Sequence, residues 1–341
     1  MDPLEFIYYL GYSLKKSRDL KNRKSLPQPV ISVGNLTLGG TGKTPAVIAI
    51  AQEALMRGFR PCILTRGYGG KAKGPCLVSM GNGPLMGVKE AGDEAFLMAE
   101  RLRGVPIVKC GDRYEGGMFA LKRLTTEIPD SGSGSLFLLD DGFQHWRLCR
   151  DRDVLLIDGM NPFGNRKLFP SGVLREPLHE MRRADVIVLT KTGPGTAGRF
   201  DVTALRDEIR RYNPYAPVYM SEHSPSLFRT LSDAELPLAT LSGKGAFLFC
   251  GIANPGSFKE SLAGSGAEVK GLLAYGDHHR YRAEDLRRIK EAARKSGSDW
   301  IVTTEKDIIK MSDLGPPENL LALRIEFKIE ESFYKTIFSG D

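Results

Sequence analysis

The sequence predicts an α/β fold in two parts, a parallel sheet sandwiched by helices and then a second, smaller α/β domain. Two observations carry this. Continuous apolar, β-branched runs recur at Val30–Val33, Cys62–Thr65, Ile107–Cys110, Leu136–Leu139, Val154–Ile157 and Val186–Leu189, and strands without alternation are buried on both faces. Helix-periodic stretches separate several of them, at Ala46–Arg57, Glu94–Arg103 and Gly116–Leu124, as the crossovers of a parallel sheet require. The alternation resumes at Ala246–Cys250, Val269–Ala274, Trp300–Thr303 and Leu320–Ile325, with a charged helix at Ala283–Lys295.

The remaining stretches follow in order. Residues 3–20 predict a helix with Leu4, Ile7, Tyr8 and Leu14 on one face and Phe6, Tyr9 and Leu10 widening it. Lys15, Lys16, Arg18, Lys21, Arg23 and Lys24 follow densely. This is either a helix packed on the core with a solvated basic end, or one lying in a membrane interface. Gly69–Lys89 is a long loop or a small β excursion, Ser131–Ser135 a flexible link, and Asn213–Lys244 a looser stretch carrying a domain junction. The expected organisation is an amphipathic helix over 1–25, a core domain over 26–215, a linker over 216–240 and the smaller domain over 241–341.

Composition bounds the function. With 341 residues, 41% hydrophobic and 26% charged, the chain is of ordinary globular make-up, not disordered. Its net charge of +7 favours anionic partners: nucleotides, phosphorylated substrates, nucleic acid or an acidic membrane face. Cys62, Cys76, Cys110, Cys149 and Cys250 are scattered and form no C-x-x-C pair, which argues for reduced thiols and against a disulfide framework or zinc site. No apolar run of membrane-spanning length occurs. The start lacks the basic region and cleavage site of a signal peptide, so the chain is expected to stay on the side where it is made.

The segment Val30–Pro45 places a glycine-rich turn between a strand and a helix, the context of a P-loop. Gly39, Gly40 and Gly42 let backbone N–H groups close around phosphate oxygens. Lys43 can reach the β- and γ-phosphates, the Thr44 hydroxyl can hold Mg²⁺, and Pro45 suits the first helical turn. The whole stretch Leu38, Gly39, Gly40, Thr41, Gly42, Lys43, Thr44 and Pro45 is thus the expected nucleotide-binding segment. One departure stands out: the first glycine of the G-x-x-x-x-G-K-[ST] pattern is replaced by Thr37. The fold class sharpens accordingly to a P-loop NTPase-type sheet.

The run from Leu136 ends in Asp140 and Asp141, as in a Walker B element whose strand-terminal Asp binds Mg²⁺ directly or through water. Gln144 and His145 touch nucleotide or phosphate, or else pack. Asp93 is either the N-cap of a helix or a base accepting a substrate hydroxyl proton. Arg113 and Arg175 could neutralise charge developing on a transferred group, and Tyr68 could stack on a base. The loop Tyr275–Arg280 offers a metal set, a His tuning a carboxylate, or mere surface.

Taken in order and spacing, Gly34-Asn-Leu-Thr37, Gly39–Pro45, Thr65-Arg-Gly-Tyr68, Gly92-Asp-Glu94, Asp140–His145, Leu174-Arg-Glu176, Asp277-His278 and Thr303–Asp307 resemble the tetraacyldisaccharide 4′-kinases from about residue 3 to 312. The family resemblance accounts for Thr37. It implies ATP- and Mg²⁺-dependent phosphorylation of the 4′-hydroxyl of a tetraacylated glucosamine disaccharide 1-phosphate, giving lipid IVA. It implies that Asp93 and His278 are a catalytic pair assembled by domain closure, and that Asp140 and Asp141 are the Walker B acids. Arg113, Arg175 and Glu176 fall where family active-site residues do, Glu176 joining Thr44 and the two acids as the metal set. The implied partners are ATP, the acylated disaccharide lipid and the inner-membrane surface, bound peripherally on its cytoplasmic face by a monomer, with no nucleic acid. Lifting one acyl chain into water costs about 10 kcal/mol at ~0.8 kcal/mol per CH₂, so the tails stay in lipid. The 1–25 helix becomes the expected docking element, and deleting residues 1–20 is expected to cut membrane association while sparing the fold.

Two alternatives compete. A P-loop switch GTPase would carry [NT]-K-x-D, whereas Thr190-Lys-Thr lacks the Asp. A membrane-binding protein with a decayed nucleotide site would not retain Lys43, Thr44, Asp140 and Asp141 together.

Overall fold

The computed structural model describes residues 2–124, 134–193 and 201–339; residues 131–133 of the expected flexible link lie outside them. Two units form, Met1–Glu222 with Phe327–Asp341, and His223–Glu326. The first runs α1 (Pro3–Lys21), β1 (Val30–Asn35), α2 (Lys43–Met56), β2 (Arg60–Thr65), β3 (Cys76–Met80), α3 (Val88–Ala91), α4 (Asp93–Arg101), β4 (Pro106–Lys109), α5 (Arg113–Leu124), β5 (Ser135–Asp140), β6 (Arg152–Asp158), β7 (Val186–Thr190), α6 (Val202–Tyr212) and the start of β8 (Val218–Arg229). Its strands lie in the order β8-β7-β6-β1-β5-β2-β4-β3. Neighbours are parallel except β3, which runs antiparallel to β4 at the edge. The sheet is therefore mixed, and part of the Gly69–Lys89 stretch is a strand. β1 has β5 on one side and β6 on the other, so successive strands are laid down to opposite sides of it. In such sheets ligands bind beyond the carboxyl ends of the strands at that crossing point.

Unit two runs β9 (Glu235–Pro237), β10 (Gly245–Cys250), α7 (Pro255–Ala263), β11 (Glu268–Ala274), α8 (Ala283–Lys295), β12 (Trp300–Thr304), α9 (Glu305–Ile308) and β13 (Leu320–Ile329). Strands β11, β10, β12 and β13 pair in parallel in that order. Leu248, Phe258, Val302 and Leu321 fill its core. The chain then returns to the first unit as α10 (Glu331–Phe338).

Two boundaries differ from expectation. Residues 216–240 hold β8 and β9 where a linker is predicted. Most of β8 is half-buried, with Ser, Glu, His and Pro along it, so it shows no apolar run from which to read it. The end of the chain does not stay with the smaller unit. Phe333 and Ile337, one helical turn apart, are buried in the first unit's core, and Phe338 stacks on Phe59 with ring centroids 5.3 Å apart.

Both faces of the first sheet are covered, one by a core including Ala46, Ile50, Met98 and Phe333. Opposite it lie one cluster with Leu26, Phe137 and Ala120 and another with Phe143, Leu155 and Ile209. α1 belongs to this last region. Asp2 and Glu5 form a reciprocal capping box, and buried Glu5 accepts from Leu168 N at 2.9 Å. Tyr8 and Tyr9 pack inward, whereas Leu4, Ile7 and Leu14 point outward, 61–72% exposed. Tyr8 thus leaves the face on which periodicity puts it, because its hydroxyl finds a partner inside, the Arg175 carbonyl at 3.0 Å.

Candidate functional site

The site grows from the end of β1. Asn35, fully buried, donates to the Thr37 carbonyl at 2.7 Å, while Thr37 bridges antiparallel to Leu174. An extended backbone there needs no glycine. Gly39 and Gly42 have φ of 108° and 85°, where a Cβ would be strained. Gly42 caps α2 without any side chain, so the first N–H groups of the helix have no intrahelical acceptor and face the loop. Thr44 is buried, and Lys43 Nζ donates to Asn35 Oδ1 at 3.3 Å. Leu38 is about half exposed and its N–H bonds the Val173 carbonyl at 2.7 Å. Two contacts brace the loop from the end of β7 and the residue after it: Thr190 Oγ1 donates to Thr41 O at 3.0 Å and Lys191 Nζ to Gly40 O at 2.8 Å.

The end of β5 lies beside it, with Asp140 level with Val33 of β1. Arg175 donates to Asp141 Oδ1 at 2.7 Å and to Asn35 Oδ1 at 3.2 Å, and Lys43 stands 3.7 Å from the same Asp141 oxygen. Burial pushes the Asp141 carboxyl up, but Lys43 and Arg175 override it and hold the group well below the usual carboxylate range. Asp140 goes the other way. Burial first, then Glu94 and Asp141, push it up to about 7. Its Oδ2 accepts from Thr65 at 2.8 Å and its buried Oδ1 has no partner among the described residues.

Gln144 donates to Asn35 O at 2.8 Å and Glu176 Oε1 at 2.6 Å. Glu176 is fully buried, and Arg183 at 2.6 Å and Tyr12 at 3.4 Å occupy its other oxygen. In this arrangement it holds neighbours together instead of standing open to an ion. Arg113, also buried, opens α5 and donates to Gly111 O at 2.9 Å; its N–H meets His145 Nε2 at 3.3 Å. Burial, then Arg113, lower the His145 ring to about 3, so it is a neutral acceptor.

Asp93 is not the N-cap. Gly92, at φ 92°, takes that position, and Asp93 is the first helical residue, buried, with its carboxylate accepting from Glu94 N at 3.2 Å. Tyr68 is 63% exposed, accessible for stacking. In the second unit, His278 follows β11 in the left-handed region at φ 58°. Sequence reasoning gave no role to Asn35, Thr190 or Lys191. Only Asn35 left a signal, a polar amide closing a mainly apolar strand.

Among the described residues no group of three or more His, Cys, Asp or Glu could hold a metal. Mg²⁺ asks for less, since it binds through one or two carboxylates together with phosphate and water. The orphaned Asp140 oxygen and the Thr44 hydroxyl suit it.

A glycine loop, its lysine and an acid pair, gathered at the carboxyl edge of a mostly parallel sheet, define a P-loop protein built to hold nucleotide phosphates. The comparisons narrow this. The chain belongs to the LpxK family, tetraacyldisaccharide-1-P 4′-kinase, whose profile matches residues 1–339. Relatives named tetraacyldisaccharide 4′-kinase include that of Halothermothrix orenii, 40% identical over 91% of this chain and 82% of its own. That of Syntrophus aciditrophicus is 38% identical over 98% and 90%. The crystal structure of LpxK from Aquifex aeolicus in complex with ATP superposes with a TM-score of 0.75 at 33% identity, covering 98% of this chain and 96% of that one.

Proposed function

We propose that this chain transfers the γ-phosphate of ATP to the 4′-hydroxyl of a tetraacylated glucosamine disaccharide 1-phosphate, working at a membrane surface. The observation that carries it is the convergence of Lys43 and Arg175 on one oxygen of Asp141 beside the glycine loop. Two cations that share a carboxylate are preorganised to share a phosphoryl group, and need little reorganisation as charge develops on it. Loop N–H groups of residues 39–44 orient the triphosphate, and Arg113 adds charge from the start of α5. Thr44 and Asp140 would hold Mg²⁺, which supplies Lewis-acid neutralisation of the phosphate oxygens. Glu176 contributes by fixing Gln144 and Arg183. Asp93 accepts the proton of the attacking hydroxyl, and the family resemblance gives His278 a share in that transfer. Tyr68 offers a stacking face to the base or sugar.

The outward Leu4, Ile7 and Leu14 of α1, with the basic residues at its end, support peripheral attachment to the inner membrane's cytoplasmic face. No described helix is long and apolar enough to cross a membrane. A radiolabelled-ATP assay with the disaccharide lipid in detergent micelles tests the proposal. Label should appear in the lipid, with little hydrolysis when lipid is withheld. Lipid-independent hydrolysis with unlabelled lipid would reject it.

A further inference from the structure

We propose that Lys306 is a positioning residue that fixes His278 as the neutral tautomer with its hydrogen on Nδ1. This rests on the share in proton transfer given to His278 above. The segment Thr303–Asp307 lies wholly in the second unit and wraps around that histidine. Thr304 ends β12 and caps α9, its hydroxyl accepting from Asp307 N at 3.2 Å. The fully buried Asp307 accepts from Gly251 N at 2.9 Å. Gly251 in turn takes the His278 N–H on its carbonyl at 3.1 Å, and the same N–H lies 3.0 Å from Asp277 Oδ1. The backbone is thereby held in a left-handed conformation, uncommon outside glycine, at φ 58°.

The side chain is held separately. Lys306 Nζ stands 3.2 Å from His278 Nε2. An ammonium has donors and no acceptor, so Nε2 must present its lone pair and the ring hydrogen must sit on Nδ1. Nδ1 then carries the hydrogen of the neutral ring, since the other polar group facing Nε2, Asp277 Oδ2, lies at 3.9 Å, beyond hydrogen-bond reach. The adjacent His279 is held differently, by Asp285 at 3.1 Å and a stacked Tyr275, so the lysine contact singles out His278.

The test uses the full chain labelled with ¹⁵N-histidine. Five histidines are present, and H278A identifies the relevant signal by its loss. In the unsubstituted protein Nε2 should give the unprotonated and Nδ1 the protonated resonance. Lys306→Met should mix the tautomers and lower kcat by about 10- to 100-fold, a part of the ~10²–10⁴-fold that a positioned acid–base group contributes. Lys306→Arg, which keeps a cationic donor, should retain the tautomer and serves if the Met variant fails to fold. Adding Lys306→Met to H278A should cost nothing further. An unchanged tautomer in Lys306→Met, or a loss additive with H278A, would overturn the inference. Near-normal turnover in H278A would instead remove the role of His278 in proton transfer, and the tautomer spectrum would still decide what Lys306 does.

Discussion

Arg175 and Asp141 are joined by a 2.7 Å hydrogen bond whose acceptor oxygen also lies 3.7 Å from the Lys43 ammonium. One carboxylate thus holds two cations that a triphosphate will need. Asp141→Asn would leave them facing each other across a partly exposed gap. The nucleotide-free variant should lose about 1–3 kcal/mol of stability, and adding ATP should raise its melting temperature more than it raises that of the parent, because phosphate replaces the missing charge. Equal shifts in a thermal melt would mean that Asp141 does not stand in for phosphate.

Asp93 separates binding from chemistry. It lies buried at the start of α4, apart from the glycine loop in sequence. Asp93→Ala should reduce kcat by about 10²–10⁴-fold with ATP affinity unchanged by calorimetry, and Asp93→Asn should do nearly the same. Near-normal turnover in both would remove it from the base role.

The sequence shows some of this geometry plainly and some not at all. Strands β1, β2, β4, β5, β6 and β7 are readable because burial on both faces gives each a mainly apolar run. β8 hides because it is half-buried and polar. The loop and the acid pair announce themselves through glycine spacing and strand-end carboxylates. Asn35, by contrast, does its work through a fold-dependent meeting with Lys43, Arg175 and Gln144, which no local pattern encodes. Lys191 is likewise invisible: it reaches the loop from just past the end of β7, 151 residues later.

The opposed behaviour of the two acids gives a pH signature. Asp140 is raised from 3.8 to about 7, so between those values the folded chain holds a proton that the unfolded chain has released. Stability of the metal-free protein should therefore fall as pH rises from about 4 to about 7. A divalent cation competes with that proton, so the stabilisation given by Mg²⁺ with nucleotide should be larger at about pH 8 than at about pH 5.5. Asp140→Asn should abolish the second trend and weaken the first, part of which remains with Asp153 and Glu176, whose carboxyls burial also pushes up, in calorimetric melts. A parent protein without either trend would show that Asp140 ionises normally and would weaken its claim on the metal.

α1 was expected to be a separable anchor, and its contacts say otherwise. Tyr12 reaches the buried Glu176, and Lys16 pairs with Glu180, itself almost fully buried. Tyr8 bonds the carbonyl of Arg175, the residue that holds Asp141. Removing residues 1–20 would strip the Tyr12 and Lys16 contacts from two buried carboxylates, which keep Arg183, at a cost of about 0.5–1.5 kcal/mol for each hydrogen bond lost. The truncated chain should melt lower and turn over more slowly even on micellar substrate, where a membrane anchor is dispensable. Replacing only the outward Leu4, Ile7 and Leu14 with Ser should do the reverse. Exposed substitutions of this kind stay within about ±0.5 kcal/mol each, while each apolar side chain withdrawn from lipid forfeits about 1.5–3 kcal/mol of burial. Vesicle sedimentation should then show lost association at an unchanged melting temperature. A truncated chain as stable and active as the parent in micelles would mean that α1 only anchors, and that Glu176 and Glu180 need nothing from it.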